Sequence, residues 1–365
     1  MNFFSNIEQF LKDKGYPAYR LQQLYTNIFQ NRIVDFDSMT DLPKLLRAEL
    51  KEQFNSVLDI TDSTLQIESF KEESDTIDES ANVEKVLLEF NNGDRVEAVN
   101  MLHRENSNKW SSLCISSQVG CALGCKFCAT GQIGFKRNLT LDEIIYQPLY
   151  FFLHGEVIHN ILFMGMGEPL LNETVFDAIK FFTQKRTFNI GMRSISVSTV
   201  GIVPALEKLI NEFPQINIAF SLHNPFNNER KELMPITNQY SIEEVMNVLD
   251  KHIEKNKRKV FIAYTLLAGI NDSLRHAKEL VSLIKARGKN SYLYHVNIVP
   301  FNRVSIGNVS FKPTGILQSD KFIGVLNSNN INYTIRKSFG RNIDGACGQL
   351  YARYVKTCYN LIDKL

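Results

Sequence analysis

Three cysteines stand close together in the run Cys121-Ala-Leu-Gly-Cys125-Lys-Phe-Cys128. Three thiolates without an obvious fourth local ligand suit an iron–sulfur cluster whose last iron stays open to another molecule. A structural zinc site is the alternative, but it wants four ligands, and the nearest further cysteine, Cys114, lies seven residues upstream. A disulfide framework is not expected, because the chain has only six cysteines in 365 residues. The spacing therefore favours an iron–sulfur cluster with one open iron over a structural zinc site.

Small and polar residues follow several of the predicted strands. Gly165-Met166-Gly167-Glu168-Pro169 combines glycines, which let a backbone approach a ligand, with a carboxylate that can hold an ammonium group. Ser198-Thr-Val-Gly201, Ser221-Leu-His223 and Asn297 end three further strands. Each of these alone is typical of an ordinary turn or a buried polar residue. Together with the cysteines they indicate a binding site at one edge of a sheet.

The elements that must position these groups alternate between strand and helix from about residue 110 onward. Such alternation predicts an α/β fold with a parallel sheet and crossover helices, of about six units, too few for an eight-unit barrel. The predicted strands are Ile161–Met164, Ile195–Thr199, Ile216–Leu222, Val260–Leu266, Tyr294–Val299 and Ile331–Arg336, and the helices between them include Leu141–Leu153, Pro204–Glu212, Ile242–Ile253 and Leu274–Lys285.

The part of the chain before residue 110 has a different pattern. Apolar residues recur at helical spacing up to about residue 55, with Pro17 and Pro43 separating three helical segments. The stretch Glu68–Glu84 is acidic and polar, and we expect it to be a mobile connection. Two apolar runs around the turn Asn91-Asn-Gly-Asp94 then predict a β-hairpin that includes Glu97.

The overall composition is that of a soluble protein with a full core, with 44% hydrophobic and 22% charged residues. No apolar run reaches the roughly 18 residues that span a membrane, and the start lacks a signal-peptide pattern, so we expect a cytoplasmic protein without a membrane partner. The net charge of +2 leaves room for a nucleic-acid partner where basic residues cluster. Many basic clusters are simply solvent-exposed surface. The clusters in this chain are Lys255 to Lys259, Arg336 with Lys337 and Arg341, and Lys126 with Lys136 and Arg137.

These motifs together resemble one family. The cysteine spacing, Phe127 and the Gly-Glu-Pro element are similar to radical S-adenosylmethionine (SAM) enzymes. Cys114-Ile-Ser-Ser-Gln118, Phe163-Met-Gly-Met-Gly-Glu168, Ser221-Leu-His223 and Asp344-Gly-Ala-Cys347-Gly-Gln-Leu350 resemble the RlmN/Cfr family of 23S rRNA adenosine methyltransferases, and the resemblance covers nearly the whole chain.

The resemblance implies a partial (β/α)6 radical SAM barrel with an N-terminal helical accessory domain. It divides the chain into an RNA-binding helical domain with an acidic linker (1–75), a β-hairpin carrying Glu97 (76–106), the radical SAM core (107–340) and a C-terminal segment carrying Cys347 (341–365). We expect the N-terminal helices and the segment Arg336–Arg341 to contact RNA.

The resemblance also implies the cofactors and their ligands. One [4Fe-4S] cluster binds to Cys121, Cys125 and Cys128, and two SAM molecules are used per turnover. Gly167 and Glu168 contact the methionine amine of SAM. The rest of the SAM site is implied to comprise Ser198, Ser221, Leu222, His223 and Asn297.

The catalytic residues implied by the family lie outside the cysteine triad. Cys347 carries a methyl group as S-methylcysteine, Glu97 is the base that removes a ring proton, and Cys114 releases the product by a transient disulfide with Cys347. On residue type alone, a lone cysteine is more often a small buried residue and a strand glutamate usually faces outward. A glutamate among apolar residues would have a raised pKa, which suits a base. Cys358 matches no assigned role.

Within the family, Cfr-type enzymes methylate carbon 8 of an adenosine in the peptidyl transferase centre, and RlmN-type enzymes methylate carbon 2. The segments that look more like Cfr favour carbon 8 and thus resistance to ribosome-targeting antibiotics. Val119, Ala122-Leu123 and Pro169 to Asn172 look more like RlmN, and the RlmN alternative would add tRNA as a substrate. The resemblance further implies a monomer that acts on 23S rRNA before ribosome assembly is complete, with an electron donor such as flavodoxin or ferredoxin. A radical SAM enzyme on a non-RNA substrate and a non-enzymatic iron–sulfur or zinc RNA-binding protein are the alternatives. The Cfr-like segments are Leu42–Arg47, Arg95–Met101, Phe220–Pro225, Glu243–Asp250, Ile262–Tyr264 and Leu293–Asn297.

Overall fold

The computed structural model describes residues 3–58, 66–75, 80–90, 92–105, 108–302 and 311–336. Within these residues one sheet contains ten strands, and two short strands, β5 (Gln118–Gly120) and β6 (Phe135–Asn138), pair separately. The spatial order of the large sheet is the order of its strands along the chain. These strands are β1 (Gln66–Asp75), β2 (Ser80–Glu89), β3 (Arg95–Glu105), β4 (Asn108–Ile115), β7 (Asn160–Phe163), β8 (Ile195–Thr199), β9 (Asn217–Ser221), β10 (Val260–Leu266), β11 (Tyr294–Pro300) and β12 (Tyr333–Ile335).

The direction of the strands changes once across the sheet. Strands β1 to β4 pair antiparallel, whereas β4 and all later strands pair parallel. Parallel pairing requires crossovers, and helices supply them because each has an apolar face that packs on the sheet. The helices are α1 (Phe3–Asp13), α2 (Tyr19–Phe29), α3 (Lys44–Phe54), α4 (Ala129–Ile133), α5 (Leu141–Leu153), α6 (Thr174–Thr183), α7 (Val203–Glu212), α8 (Asn227–Leu233), α9 (Ile242–Asn256), α10 (Leu274–Lys285) and α11 (Ile316–Ser328).

The predicted fold class is confirmed. Seven parallel strands give six crossovers, and in the described part of the chain no ladder joins the first strand of the sheet to the last, so the barrel is partial. The predicted bounds of β8, β10, α5 and α10 agree with the structure, and the other predicted elements differ by a few residues at their ends. Local sequence explains two of the helix starts, because Thr140 with Glu143 and Ser241 with Glu244 form capping boxes.

Three helices at the N-terminus form the predicted helical module. Its aromatic core includes Phe3, whose ring meets that of Phe54 edge to face at a centroid distance of 5.3 Å. The module is anchored to the sheet layer by Asp142 of α5, whose carboxylate accepts hydrogen bonds from the backbone N–H groups of Phe4 at 2.6 Å and Ser5 at 3.0 Å. This long-range cap satisfies amide groups that a helix start leaves without partners.

One expectation about this region is wrong. The acidic stretch Glu68–Glu84 is not simply a connection, because most of it belongs to β1 and β2, which pair antiparallel from Gln66 opposite Glu89 to Asp75 opposite Ser80. The acidic composition predicted a connection because β1 is the outermost strand of the described sheet. Edge strands in natural sheets are commonly rich in charged residues that prevent association with other chains. The predicted hairpin is confirmed as β2 and β3, but it is part of a four-stranded antiparallel section rather than a separate unit.

Candidate active site

A cavity of about 320 Å³ opens at the carboxyl ends of the parallel strands. Parallel strands present their carboxyl ends at one edge of the sheet, which explains why polar strand ends far apart in sequence meet there. Two further lining segments come from outside the parallel strands, namely the cysteine loop and the antiparallel strand β3. The cavity brings together ten of the sequence-predicted site residues: Cys114, Cys121, Cys125, Cys128, Gly167, Glu168, Ser198, Ser221, His223 and Asn297.

Three predicted site residues do not line this cavity as described. The side chain of Leu222 is fully buried, and only its backbone lies between the lining residues Ser221 and His223. Glu97 of β3 is fully buried and is not among the residues that line the cavity. Cys347 lies outside the described residues, as does Cys358.

The cysteine loop is a compact turn against α4. The backbone N–H of Cys128 donates to the carbonyl oxygen of Cys125 at 3.2 Å, and that of Cys121 donates to Gly134 at 2.9 Å. Gly131 packs so closely that a Cβ atom there would lie 2.9 Å from the backbone nitrogen and oxygen of Cys125. A glycine is therefore required for this loop to fold against the helix.

The buried cysteine thiols need a nearby positive charge to ionise. Burial raises the pKa of Cys121 to about 12 and that of Cys125 well above its ordinary value. Bound iron would supply the positive charge that converts such thiols to thiolates. Among the described residues, no group of three His, Cys, Asp or Glu side chains is arranged to hold a metal ion. A cluster fits the three thiols nevertheless, because each of its irons takes a separate cysteine and the sulfurs need not converge on one point.

A buried arginine that we did not predict lies beside the cysteine loop. Arg230 of α8 has no exposed surface, and its guanidinium donates to the carbonyl oxygens of Leu222 at 3.0 Å, Val200 at 2.9 Å and Ser221 at 3.0 Å. Burial lowers its pKa to about 10, and its charge lowers the pKa of the Cys125 thiol against the larger effect of burial. Arg230 thus fixes two strand ends and places a positive charge where a cluster carries negative thiolates.

Glu168 and the preceding glycine form a tight turn at the end of β7. Gly167 has a φ of +96°, and a Cβ atom there would lie 2.5 Å from the Cβ of Gln118. The Glu168 carboxylate accepts from the backbone N–H groups of Leu170 at 3.1 Å and Val200 at 3.0 Å. Burial raises its pKa to about 7, although these hydrogen bonds favour the ionised form. An incoming ammonium group would stabilise the carboxylate further.

The ends of β8, β9 and β11 complete the opposite side of the cavity. The hydroxyl oxygens of Ser198 and Ser221 lie 3.2 Å apart. His223 Nδ1 accepts from the backbone N–H of Thr265 at 3.0 Å, and burial, followed by the charge of Arg230, lowers the pKa of His223 to about 3. The imidazole is therefore neutral at working pH, with its ring edge to face against Phe127 at 5.0 Å.

Glu97 is buried together with a lysine that we also did not predict. The Lys85 ammonium on β2 lies 2.9 Å from Glu97 Oε1, and the two side chains are 1% and 0% exposed. Glu97 shares its face of β3 with Val99 and Met101, both of which line the cavity. The hairpin register sets Lys85 diagonal to Glu97 on that same face, and the pair becomes apparent only once this register is known.

Cys114 lies at the junction of the two halves of the sheet. It is opposite Val99 of β3 in an antiparallel ladder and opposite Leu162 of β7 in a parallel ladder. Its neighbourhood is tied to the Gly-Glu turn, because the Ser116 hydroxyl donates to the Glu97 carbonyl at 2.7 Å and accepts from the Met166 N–H at 2.9 Å. The proposed product-releasing thiol therefore shares a wall with the cluster cysteines, and its disulfide with Cys347 stays a prediction.

The basic residues near the site divide into two kinds. Arg137 forms a bidentate pair with the buried Glu143, with both distances 2.8 Å, and also contacts Asp94 at 2.6 Å. Its guanidinium is thereby engaged within the fold. Arg336 instead lines the cavity, whereas Lys337 and Arg341 lie outside the described residues.

Among the described residues, no helix is both long enough and apolar enough to cross a membrane.

Comparison with protein families gives two matches. Residues 115–281 match the radical SAM superfamily, and residues 4–55 match the ribosomal RNA large subunit methyltransferase N-terminal domain. The first match contains the cysteine loop and the strand ends of the cavity, and the second coincides with the helical module formed by α1 to α3.

Individual relatives are similar to this chain in sequence or structure along nearly its whole length. Proteins named ribosomal RNA large subunit methyltransferase Cfr from Staphylococcus aureus and Bacillus velezensis are 47% and 45% identical, over 97% of this chain and 99% and 98% of their own lengths. A crystal structure of a radical SAM methyltransferase from Sphaerobacter thermophilus superposes with a TM-score of 0.80 at 34% identity, covering 95% of this chain and 97% of that one.

The cofactor assignment follows from the superfamily match and the three thiols around one cavity. The enzyme uses a [4Fe-4S] cluster and SAM, which the residues of this cavity fit in number and chemical type. The chain belongs to the Cfr group of ribosomal RNA large subunit methyltransferases, within the radical SAM superfamily.

Proposed function

We propose that this protein methylates carbon 8 of an adenosine in the peptidyl transferase centre of 23S rRNA, through a methyl group carried on Cys347. The identity of 45–47% to proteins named Cfr carries the choice of carbon 8. The shared cavity of Cys114 and the cluster cysteines supports the route through a second thiol. A methyl group there would protect the ribosome from antibiotics that bind the peptidyl transferase centre.

The parallel half of the sheet prepares the reaction. Cys121, Cys125 and Cys128 hold the cluster, and Glu168 receives the SAM ammonium group. The rest of the SAM pocket is lined by Ser198, Ser221, His223 and Asn297. The Leu222 carbonyl oxygen accepts a hydrogen bond from Arg230, which fixes the backbone between Ser221 and His223. When bound, the cluster and SAM supply a 5′-deoxyadenosyl radical that takes a hydrogen atom from a methyl group.

The antiparallel half handles the RNA base. The methyl group first moves from one SAM to the Cys347 sulfur, and after loss of a hydrogen atom its carbon bonds to carbon 8, which leaves the base covalently attached to the protein. Carbon 8 is too weakly nucleophilic to attack a sulfonium methyl directly, so division into covalent stages lowers the barrier. The attached base is then a radical: it gives its ring proton to Glu97, and its unpaired electron would return to the oxidised cluster, which restores the aromatic ring.

Product release uses the remaining thiol. The Cys114 sulfur attacks the Cys347 sulfur, the bond between that sulfur and the methylene carbon breaks, and the carbon takes up a proton to become a methyl group. The new disulfide between Cys114 and Cys347 is then reduced by an external thiol. An electron donor such as flavodoxin or ferredoxin supplies electrons for the radical step.

Lys85 suits Glu97 to its role as base. A buried carboxylate persists as an anion only when it has a partner, and the ammonium at 2.9 Å supplies one. Lys85 is therefore a positioning residue that keeps the base in its proton-accepting form.

The substrate is 23S rRNA before ribosome assembly is complete, and the protein acts as a monomer in the cytoplasm. An adenosine must leave its stack to reach the cavity, as in other proteins that recognise single-stranded RNA. The helical module and the segment that begins at Arg336 hold the backbone around it, so binding should weaken with salt.

Mass spectrometry of 23S rRNA tests the proposal. Fragments from a host that expresses this chain, but lacks its own enzyme for the site, should contain 8-methyladenosine after digestion to nucleosides. The Cys347→Ala variant should give none, whereas Cys358→Ala serves as a matched control and should behave as the wild type. Methylation at carbon 2 alone would overturn the choice of carbon, and full methylation by Cys347→Ala would overturn the methyl carrier.

A further inference from the structure

A pair of stacked aromatic rings lies on β3 and β4, two strands that also contribute residues to the cavity wall. His103 of β3 and Trp110 of β4 are directly opposite each other in the antiparallel ladder. Their ring centroids are 5.2 Å apart and their planes differ by 18°. Both side chains are partly exposed, and Trp110 is the single tryptophan of the chain.

Strand geometry places this pair on the same face as the cavity wall. Side chains two residues apart share a face of a sheet. His103 follows the lining residues Val99 and Met101 at this spacing, and Trp110 precedes the lining residue Cys114 by four positions. At about 3.3 Å per residue, Trp110 is about 13 Å along β4 from Cys114. The sheet face that supplies Val99 and Met101 to the cavity wall thus continues along β3 to the aromatic pair.

We propose that His103 and Trp110 form a stacking platform for an unpaired RNA base that neighbours the methylated adenosine. RNA-binding proteins hold splayed single-stranded bases on aromatic faces, and loss of one such contact weakens binding by about fivefold to about a hundredfold. The platform rests on the proposed function, because an adenosine that enters the cavity brings its neighbours to this face.

The competing explanation is a purely structural pair that stabilises the hairpin between β3 and β4. The two explanations differ in what RNA does to the indole. A structural pair keeps its environment when RNA binds, whereas a platform has its outer face covered by a base. Because Trp110 is the single tryptophan, its fluorescence reports this event without a label.

The experiment uses the cluster-loaded protein and a synthetic 23S rRNA fragment that contains the target adenosine. We expect the fragment to quench the fluorescence of Trp110, and fragments with an abasic site at one neighbour of the adenosine to bind with less quenching. In anisotropy measurements with labelled RNA, Trp110→Ala should bind about fivefold to a hundredfold more weakly. Trp110→Phe and His103→Tyr, which keep a ring, should stay within about threefold of the wild type.

Two results would overturn the platform: unchanged tryptophan fluorescence at saturating RNA, or wild-type affinity of Trp110→Ala. Equal melting temperatures of the Trp110 variants establish that they fold, and if Trp110→Ala does not fold, the abasic fragments decide by themselves. Methylation of the intact fragment by the wild type is scored separately. Quenching without methylation would retain the platform and refute the proposed function, and methylation without quenching would do the reverse.

Discussion

The two halves of the sheet differ in what they hold. The parallel strands from β7 to β12 end at the groups we assign to SAM, whereas the antiparallel strands from β1 to β4 carry Lys85, Glu97 and Cys114. The parallel half relies on strand ends and backbone groups, as expected for a site at the carboxyl edge of a sheet. The antiparallel half relies on side chains from one strand face.

This difference indicates a division of labour. A parallel half that binds SAM can generate a radical for many substrates, and the added antiparallel strands adapt it to one RNA base. Strand β4 joins the halves, because it pairs antiparallel with β3 and parallel with β7. Substitutions in the parallel half should therefore stop SAM cleavage and methylation together, and substitutions in the antiparallel half should separate them.

The largest effect is expected from Cys125→Ala in the cysteine loop, which serves the same SAM chemistry as the parallel half. With two of the three thiolates left, the cluster should be lost, together with both 5′-deoxyadenosine and methyladenosine formation. Iron content, the visible absorption of the cluster and both products give the measurement. The Cys358→Ala variant is the control, and wild-type iron content in Cys125→Ala would refute the assigned ligand.

In the antiparallel half, Lys85→Met should destabilise the fold by about 3–5 kcal/mol, because it leaves the buried Glu97 carboxylate without its ammonium partner. Adding Glu97→Gln should recover much of this loss without restoring methylation. Urea unfolding measures the free energies, with the exposed Lys109→Met as a control that should change stability by less than about 0.5 kcal/mol. If Lys85→Met is as stable as the control, the pair is not the determinant we describe.

Glu168 should give the metal-free protein a distinct pH dependence. Its pKa rises from an ordinary 4.5 to about 7 on folding because of burial, so the folded state binds the proton more tightly between these values. The stability contribution of Glu168 is thus fully present below about pH 4.5 and is lost as pH rises toward 7, by about 1.4 kcal/mol per pH unit. Glu168→Gln should remove this slope in urea unfolding, whereas Glu173→Gln should retain it; an unchanged slope in Glu168→Gln would contradict the assignment.

A smaller effect is expected from the charge of Arg230. Without the guanidinium beside the cysteine loop, the cluster should be harder to reduce, and a tenfold change in the reduction equilibrium corresponds to about 59 mV for one electron. We expect a shift of about this size toward negative potential in Arg230→Met, measured by a redox titration followed by electron paramagnetic resonance. Arg230→Lys retains the charge and should shift less, and equal potentials in all three proteins would exclude this role.

The sequence predicted the two halves unequally. The cysteine loop and the polar strand ends were predicted because their spacing is local and parallel strands necessarily bring their ends together. Arg230 was missed because it lies in a charged run, Glu229 to Glu232, that is typical of a solvated helix. Its burial depends on packing against β9, which no local pattern encodes.

In the antiparallel half, the turn at Asn91 to Asp94 predicted the hairpin correctly. The pairing of Lys85 with Glu97 needed the register of that hairpin, which sequence composition does not contain. Strand β1 was missed because its charged residues resemble a linker. A strand whose stability comes from ladder hydrogen bonds to a neighbour has a weak local signal.

The most direct test of the division of labour is to count two products in one reaction of the Glu97→Gln variant with the rRNA fragment. In the first turnover, we expect 5′-deoxyadenosine to form within about twofold of the wild-type rate, while methyladenosine falls by about a hundredfold or more, the range that loss of a general base produces. Because its ring proton is not removed, the base should stay bonded to Cys347 and accumulate as a covalent protein–RNA adduct. Loss of both products in parallel, or methylation at the wild-type rate, would contradict the account.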